Sequence, residues 1–313
     1  ARRDQSDTVR PALGDAYVEG RAAGVAGVLG MLESHLRHGS AREERERDLI
    51  ASILGGRPES GMAGLAALSG LQGRPLPSHR GAIDIEAART ALHGAGGFRP
   101  ACRLLIVENT HNFHGGAVVE LEHLQRLKAV AEERGAAVHM DGARLWNAAI
   151  AAGVDLKAYG RVADTLMVCL SKGLAAPVGS LLVGDADLVA RAREVRKLFG
   201  GGMRQVGVLA APALVAVRTM RDRLANDHRR ARRLAEGLLA FPGVELPYGP
   251  VETNILIVRA PGRDADRMRA ELEQRGVLAI AAGPDRLRFV THHDVDDGDV
   301  ERAVEAFGES IGA

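Results

Sequence analysis

Hydrophobic runs alternate with amphipathic stretches over residues 103–197, which is the pattern of strands alternating with helices. Short apolar runs predict strands over residues 104–107, 136–140, 165–170 and 179–183. Apolar residues at helical spacing predict helices over residues 120–134, 145–152 and 186–197. This alternation is typical of α/β proteins in which helices cover both faces of a mainly parallel sheet.

The C-terminal part of the chain predicts a second, smaller unit. One long apolar helix is expected over residues 205–225. After it, we expect strands over residues 252–258, 276–281 and 287–290, with helices over residues 264–275 and 297–308. The sequence therefore predicts a large domain over residues 1–220 and a small C-terminal α/β domain over residues 221–313.

Two polar residues stand where predicted buried strands end. Asp141 follows the run at residues 136–140, and Lys172 closely follows the run at residues 165–170. Ligands of parallel sheets gather at the carboxyl ends of the strands, so these side chains are expected to lie near one ligand. Alone, each residue would be typical of a turn. Together, an amine that can form a Schiff base and a carboxylate that can pair with a pyridine nitrogen indicate pyridoxal 5′-phosphate (PLP) chemistry.

Composition limits the classes of partner. The chain has 313 residues, a formal net charge of +1 and 26% charged residues, which argues against nucleic acid or a membrane surface as its main partner. The arginine-rich run at residues 227–233 is expected to be a solvated helix face. Cys102 and Cys169 stand in apolar runs and are expected to be buried thiols. With no stretch of 18 consecutive apolar residues, these features favour a cytoplasmic protein.

Six blocks carry a family resemblance: ENTHN (108–112), HMDGAR (139–144), CLSKG (169–173), APVGS (176–180), GGGMRQ (200–205) and RFVTH (288–292). In this order they resemble the low-specificity L-threonine aldolases, which are fold-type I PLP enzymes of the aromatic amino acid β-eliminating lyase group. The resemblance is nearly continuous from about residue 103 to residue 292. The opening SDTVRP (6–11) also resembles the start of the family.

The resemblance implies which residues bind the cofactor. Lys172 would be the Schiff-base lysine and a possible proton carrier, and Asp141 would hold the pyridine nitrogen protonated. Arg204, after a triple-glycine loop, would reach the phosphate in the neighbouring subunit; a solvated arginine beside a hinge is the alternative. Ser171 and Gly27 would contribute to phosphate binding. No metal site is predicted.

The resemblance also implies a substrate site. Arg144 and Arg288 would bind the α-carboxylate of an amino acid, since a guanidinium can grip a carboxylate with two parallel hydrogen bonds. For Arg144 the alternative is an ion pair with Asp141 alone. Ser6 would touch the same carboxylate. Asn109 and His111 resemble residues near the entrance of the site, with a structural, hydrogen-bonded histidine as the alternative for His111.

The N-terminal third departs from the family pattern. The family has a Ser-Gly-Thr phosphate cup, whereas the best alignment here gives Ala26-Gly27-Val28, so both hydroxyls are absent. The histidine that stacks on the cofactor ring is missing from residues 55–64. A second family histidine, which helps to handle the β-hydroxyl, is missing near residues 97–98.

The expected activity is PLP-dependent retro-aldol cleavage of a β-hydroxy-α-amino acid such as threonine or allo-threonine, giving glycine and an aldehyde. Other PLP reactions (transaldolation, β-elimination or racemisation) and an inactive, degenerate homologue are the alternatives. The position of Arg204 implies a homodimer at minimum, or a homotetramer, with shared active sites.

Overall fold

A computed structural model describes residues 60–94 and 101–312 of the protein. Residues 76–191 and 204–312 belong to one compact unit, which contains the sheets described below, whereas α1 lies outside this unit. The elements of the N-terminal half are α1 (Ser60–Ser69), β1 (Ser78–His79), β2 (Ala82–Ile83), α2 (Ile85–Ala91), β3 (Leu104–Glu108), α3 (Leu121–Glu133), β4 (Ala137–Gly142), α4 (Leu145–Ala152), α5 (Leu156–Gly160), β5 (Thr165–Cys169), β6 (Ser180–Val183) and α6 (Ala186–Leu198).

The larger sheet has the strand order β3-β4-β5-β6. The pairs β3–β4 and β4–β5 are parallel, and β5–β6 is antiparallel. The predicted mainly parallel sheet and its strand positions are therefore confirmed. The antiparallel direction of β6 was not predicted.

Alternation along β3, β4 and β5 buries one row of side chains from each of these three strands. Val107, Met140 and Val168 belong to this row and are at most 6% exposed, and they pack in one core with residues of α2, α3, α4 and α5. Ile106, which points to the opposite face, is 42% exposed. The buried row holds the strands in register, because a slip of one residue would turn the apolar side chains away from this core.

The C-terminal elements are α7 (Gly207–Thr219), α8 (Leu224–Leu239), β7 (Ile255–Arg259), α9 (Ala265–Gln274), β8 (Ile280–Gly283), β9 (Arg286–Val290) and α10 (Asp297–Ile311). The three strands form an antiparallel sheet in the order β7-β9-β8. Residues of α8, α9 and α10 pack on it in a separate core. The division into domains at residue 220 stays a prediction.

Three expectations from the sequence were wrong. The helix expected over residues 205–225 ends at Thr219, and a second helix begins at Leu224. The arginine-rich run lies on α8, but Asp227 and His228 are buried rather than solvated. Cys169 is buried as expected, whereas Cys102 is only partly buried and lies outside the strands.

Among the described residues, no helix has the length and apolarity needed to cross a membrane.

Candidate active site

Asp141 is the penultimate residue of β4, at the carboxyl end of the parallel strands. The Ala143 N–H donates a 2.9 Å hydrogen bond to Asp141 Oδ1, and no described residue donates to the other carboxylate oxygen. The following residue must be small, because a Cβ on Gly142 would lie 2.5 Å from the carbonyl oxygen of Met167. The strand end thus fixes Asp141 with one oxygen available for a ligand.

Lys172 lies in a tight turn after β5. The Ala175 N–H donates to the carbonyl oxygen of Lys172 at 2.9 Å, and the Ala176 N–H donates to that of Leu170 at 3.0 Å. Ala175 has a φ of 57°, which is uncommon for a residue with a side chain. The Lys172 side chain itself is exposed. A well-defined turn therefore presents an accessible amine beside the strand that neighbours the strand of Asp141.

Glu108 lies at the carboxyl end of the parallel strands, where the charges of three predicted site residues act on it. It ends β3 and pairs in register with Asp141. Burial raises the pKa of Glu108, and the negative charge of Asp141 adds to this effect. The N–H of Asn112 and the positive charges of Arg144 and Lys172 oppose it. Asp141, Arg144 and Lys172 therefore lie around one carboxyl group.

Sequence reasoning did not assign a role to Glu108. The available signal was its place at the end of a buried strand, next to the strand that carries Asp141. A polar residue at the carboxyl end of each of two adjacent parallel strands is the expected arrangement of a ligand site in such a sheet.

Arg144 immediately precedes α4, and burial lowers the pKa of its guanidinium group. No ion pair between Arg144 and Asp141 exists in the described structure, which removes the simplest structural alternative for this arginine. Arg288 lies on β9, and its pKa is lowered to about 10 by burial and by the neighbouring charge of Arg144. Its Nε is buried and has no hydrogen-bond partner among the described residues. The buried Nε of Arg288 is therefore a donor that an anion could satisfy beside the charge of Arg144.

Two histidines adjoin Glu108. The rings of His111 and His114 stack with centroids 4.4 Å apart, and His111 Nε2 lies 3.7 Å from Glu108 Oε2. Burial lowers the pKa of both imidazoles, so the neutral forms are favoured. The Nδ1 atoms of both rings are buried without a partner among the described residues. His111 therefore lies next to Glu108, and its role at the entrance of the site stays a prediction.

The side chain of Asn109 is engaged in hydrogen bonds to the backbone of Val119. It is fully buried, its amide donates to the Val119 carbonyl at 3.0 Å, and its Oδ1 accepts from the Val119 N–H at 3.1 Å. These bonds brace the loop that carries the histidines.

The remaining residues predicted for the site are either exposed or outside the described part of the chain. Ser171 is exposed, and its Oγ lies 3.4 Å from the Sγ of Cys169. Arg204 is exposed as well. Ser6 and Gly27 lie outside the described residues, as do the altered phosphate cup and residues 97–98. The roles assigned to these side chains stay predictions.

The donor set fits PLP bound to an amino acid. Lys172 supplies an amine, and Asp141 supplies an unengaged carboxylate oxygen suited to a protonated ring nitrogen. Arg144 and Arg288 supply positive charge where a carboxylate would compensate the buried Arg288 Nε. Each group has a chemically matched counterpart on the cofactor or on the α-carboxylate of the substrate.

Residues 44–261 match the family described as beta-eliminating lyase. The chain belongs to this family. It is 38% identical over 254 residues to low-specificity L-threonine aldolase 1 of Arabidopsis thaliana, covering 79% of this chain and 71% of the relative. It is also 38% identical over 233 residues to the low specificity L-threonine aldolase of Escherichia coli strain K12, covering 74% of this chain and 68% of the relative.

Solved structures share the fold. A putative L-allo-threonine aldolase from Listeria monocytogenes superposes with a TM-score of 0.65 and 21% identity, covering 79% of this chain and 70% of that chain. The threonine aldolase of Leishmania major gives a TM-score of 0.64 and 21% identity, covering 84% and 81%. The predicted family, the fold-type I class and its cofactor PLP are confirmed.

Proposed function

We propose that this protein is a PLP-dependent aldehyde-lyase that cleaves threonine or allo-threonine to glycine and acetaldehyde. The observation that supports the proposal is the partly buried pair Arg144 and Arg288, in which the buried Arg288 Nε has no partner among the described residues. An amino acid carboxylate fits this site, and the 38% identical relatives are named as L-threonine aldolases.

Each residue of the site has a defined task. Bound PLP supplies an electron sink for a bond broken at Cα. Lys172 would hold the cofactor through its amine and would also be able to carry a proton to Cα. Asp141 would keep the pyridine nitrogen protonated, whereas Arg144 and Arg288 would bind the α-carboxylate and so orient the substrate. The raised pKa of Glu108 brings the titration of this carboxyl group closer to neutral pH, which suits a group that exchanges protons with the substrate.

The test is a product assay with purified protein, added PLP and each threonine isomer. We expect equal amounts of glycine and acetaldehyde, and none with Lys172→Ala. Formation of 2-oxobutyrate and ammonia without acetaldehyde would instead assign β-elimination. Conversion of L-threonine to D-allo-threonine, or of L-allo-threonine to D-threonine, would assign racemisation at Cα. Bound cofactor without turnover of any isomer would leave the inactive homologue as the answer.

We also propose an oligomer in which neighbouring subunits share active sites. Arg204 is exposed and follows three glycines, and it resembles a residue that binds the phosphate of the adjacent subunit. We further propose a cytoplasmic location, which the two free thiols of Cys102 and Cys169 support.

Mixing of two impaired variants, at a PLP concentration that does not saturate Arg204→Ala, tests the shared site. Arg204→Ala should weaken PLP binding and Lys172→Ala should abolish turnover, yet a hybrid dimer should contain one site with both residues intact. We expect activity to return in the mixture. A monomer by light scattering, or no recovery after demonstrated subunit exchange, would refute the arrangement.

A further inference from the structure

A buried polar network lies beneath the candidate site. Its side chains are Asn147 on α4, His228 on α8, Asn254 before β7 and Thr291 after β9, and each is at most 5% exposed. Buried polar groups are costly unless they form hydrogen bonds, so four of them in contact indicate a specific arrangement.

Asn147 is the centre of this network. Its Nδ2 lies 3.1 Å from His228 Nε2 and donates to Asn254 Oδ1 at 3.1 Å. The amide of Asn254 donates to the Thr291 carbonyl at 2.9 Å, and the Thr291 N–H donates back to the Asn254 carbonyl at 3.0 Å. The Thr291 hydroxyl donates to the carbonyl oxygen of Asp227 at 2.7 Å.

The protonation state of His228 determines which group donates in its hydrogen bond with Asn147. Burial, together with the charge of Arg232, lowers the pKa of His228 to about 4, so the ring is neutral at physiological pH. A neutral Nε2 can accept a hydrogen from the amide of Asn147, which then uses one hydrogen for His228 and the other for Asn254. The orientation of the Asn147 amide is therefore fully specified.

The network touches three segments that carry site residues. Asn147 is three residues after Arg144, and its N–H donates to the Arg144 carbonyl at 3.0 Å. The Lys172 turn also packs on it, since a Cβ on Gly173 would lie 3.0 Å from Asn147 Oδ1. The bonds between Asn254 and Thr291 join β7 to β9, the strand of Arg288.

We propose that Asn147 is a positioning residue that sets the separation of the Arg144 and Arg288 guanidinium groups and thereby controls recognition of the substrate carboxylate. The inference rests on the proposed role of these arginines. Asn147 is not one of the reacting groups. Its buried side-chain amide instead joins α4 to the C-terminal sheet through the bond to Asn254.

Recognition of the carboxylate can be measured by comparing two small reagents that differ in whether they carry a carboxylate. Aminooxyacetate and methoxyamine both react with the cofactor aldehyde, but only aminooxyacetate carries a carboxylate. We expect Asn147→Ala to lower the rate ratio of aminooxyacetate to methoxyamine by on the order of tenfold to 100-fold, because small misplacements of a gripping group are costly. Ile311→Ala is the control, since Ile311 is a buried residue of the C-terminal core at the end of α10, near Val244 and Ala260.

A double-mutant cycle tests whether Asn147 acts through Arg288. In an Arg288→Ala background, Asn147→Ala should change the ratio much less than in the parent. His228→Gln, which keeps an acceptor for the amide, should retain most of the parental ratio, whereas His228→Leu should not. An equal loss in both backgrounds, or a loss in the Ile311→Ala control that matches that of Asn147→Ala, would assign Asn147 a purely structural role.

A measurement without cofactor keeps the inference testable on its own. The Nε–H NMR signals of Arg144 and Arg288 should shift in Asn147→Ala and stay in place in Ile311→Ala. If Asn147→Ala fails to fold, Asn254→Asp replaces it, because it keeps the acceptor for Asn147 and loses the donor to Thr291. Unmoved arginine signals in a folded variant would overturn the proposal. Absence of threonine cleavage, with shifted signals and a changed probe ratio, would count against the proposed function alone.

Discussion

Replacing Lys172 with alanine is expected to abolish measurable turnover and covalent capture of PLP while leaving the fold intact. The side chain is exposed in its turn, so its loss creates no cavity. Loss of a residue that holds the cofactor and moves a proton should reduce the rate by at least about 100- to 10,000-fold. Borohydride reduction of the parent protein, followed by peptide mapping, should place a pyridoxyl label on Lys172.

Lys157→Ala is the matched control, because Lys157 is also an exposed lysine but lies on α5, away from the strand ends. This variant should retain parental labelling and turnover. A pyridoxyl label on Lys128, Lys157 or Lys197, or no label at saturating PLP, would contradict the assignment of Lys172.

The sequence allowed the larger sheet and the position of its site to be predicted because strong apolar runs and strand ends are local signals. Buried strands need consecutive or alternating apolar residues, and the chain supplies them at β3, β4 and β5. Asp141 and Lys172 interrupt this pattern where the strands end. In the structure β4 and β5 are parallel neighbours, so Asp141 and the turn of Lys172 follow adjacent strands at the same edge of the sheet.

Other features depend on contacts that are distant in sequence. The break between α7 and α8 carries no glycine or proline; it coincides with burial of Leu224 against Leu174 and Ala216. Asp227 is buried because it forms an ion pair with Arg223 and its backbone carbonyl accepts a bond from Thr291. Charge pattern alone gave the wrong expectation here, since it does not reveal which charged residue has a buried partner.

The direction of β6 and the importance of Glu108 were missed for the same reason. A short apolar run has the same appearance in a parallel and an antiparallel pair. The pKa of Glu108 is raised chiefly by its burial in the folded protein, and the charge of Asp141 on the paired strand β4 adds to this effect. Both properties depend on the folded protein rather than on any single segment.

Substitution of Asp141 by asparagine should leave folding unchanged and remove most turnover. Asparagine retains an oxygen that can accept the Ala143 N–H, so the local turn at the end of β4 persists. Its other terminal atom is an amide nitrogen, which donates where the carboxylate oxygen would accept. The ring nitrogen then loses the negative charge that keeps it protonated, and the electron sink weakens.

We expect a fall in kcat on the order of 100- to 1,000-fold, which is typical when a preorganised electrostatic contact is removed. Thermal unfolding should show a melting temperature close to that of the parent, and borohydride should still label Lys172. Asp164→Asn is the control, because Asp164 pairs with Lys128 away from the site and its loss should affect stability rather than kcat. Parental kcat in Asp141→Asn would show that this carboxylate does not serve the ring nitrogen, whatever the outcome for Lys172.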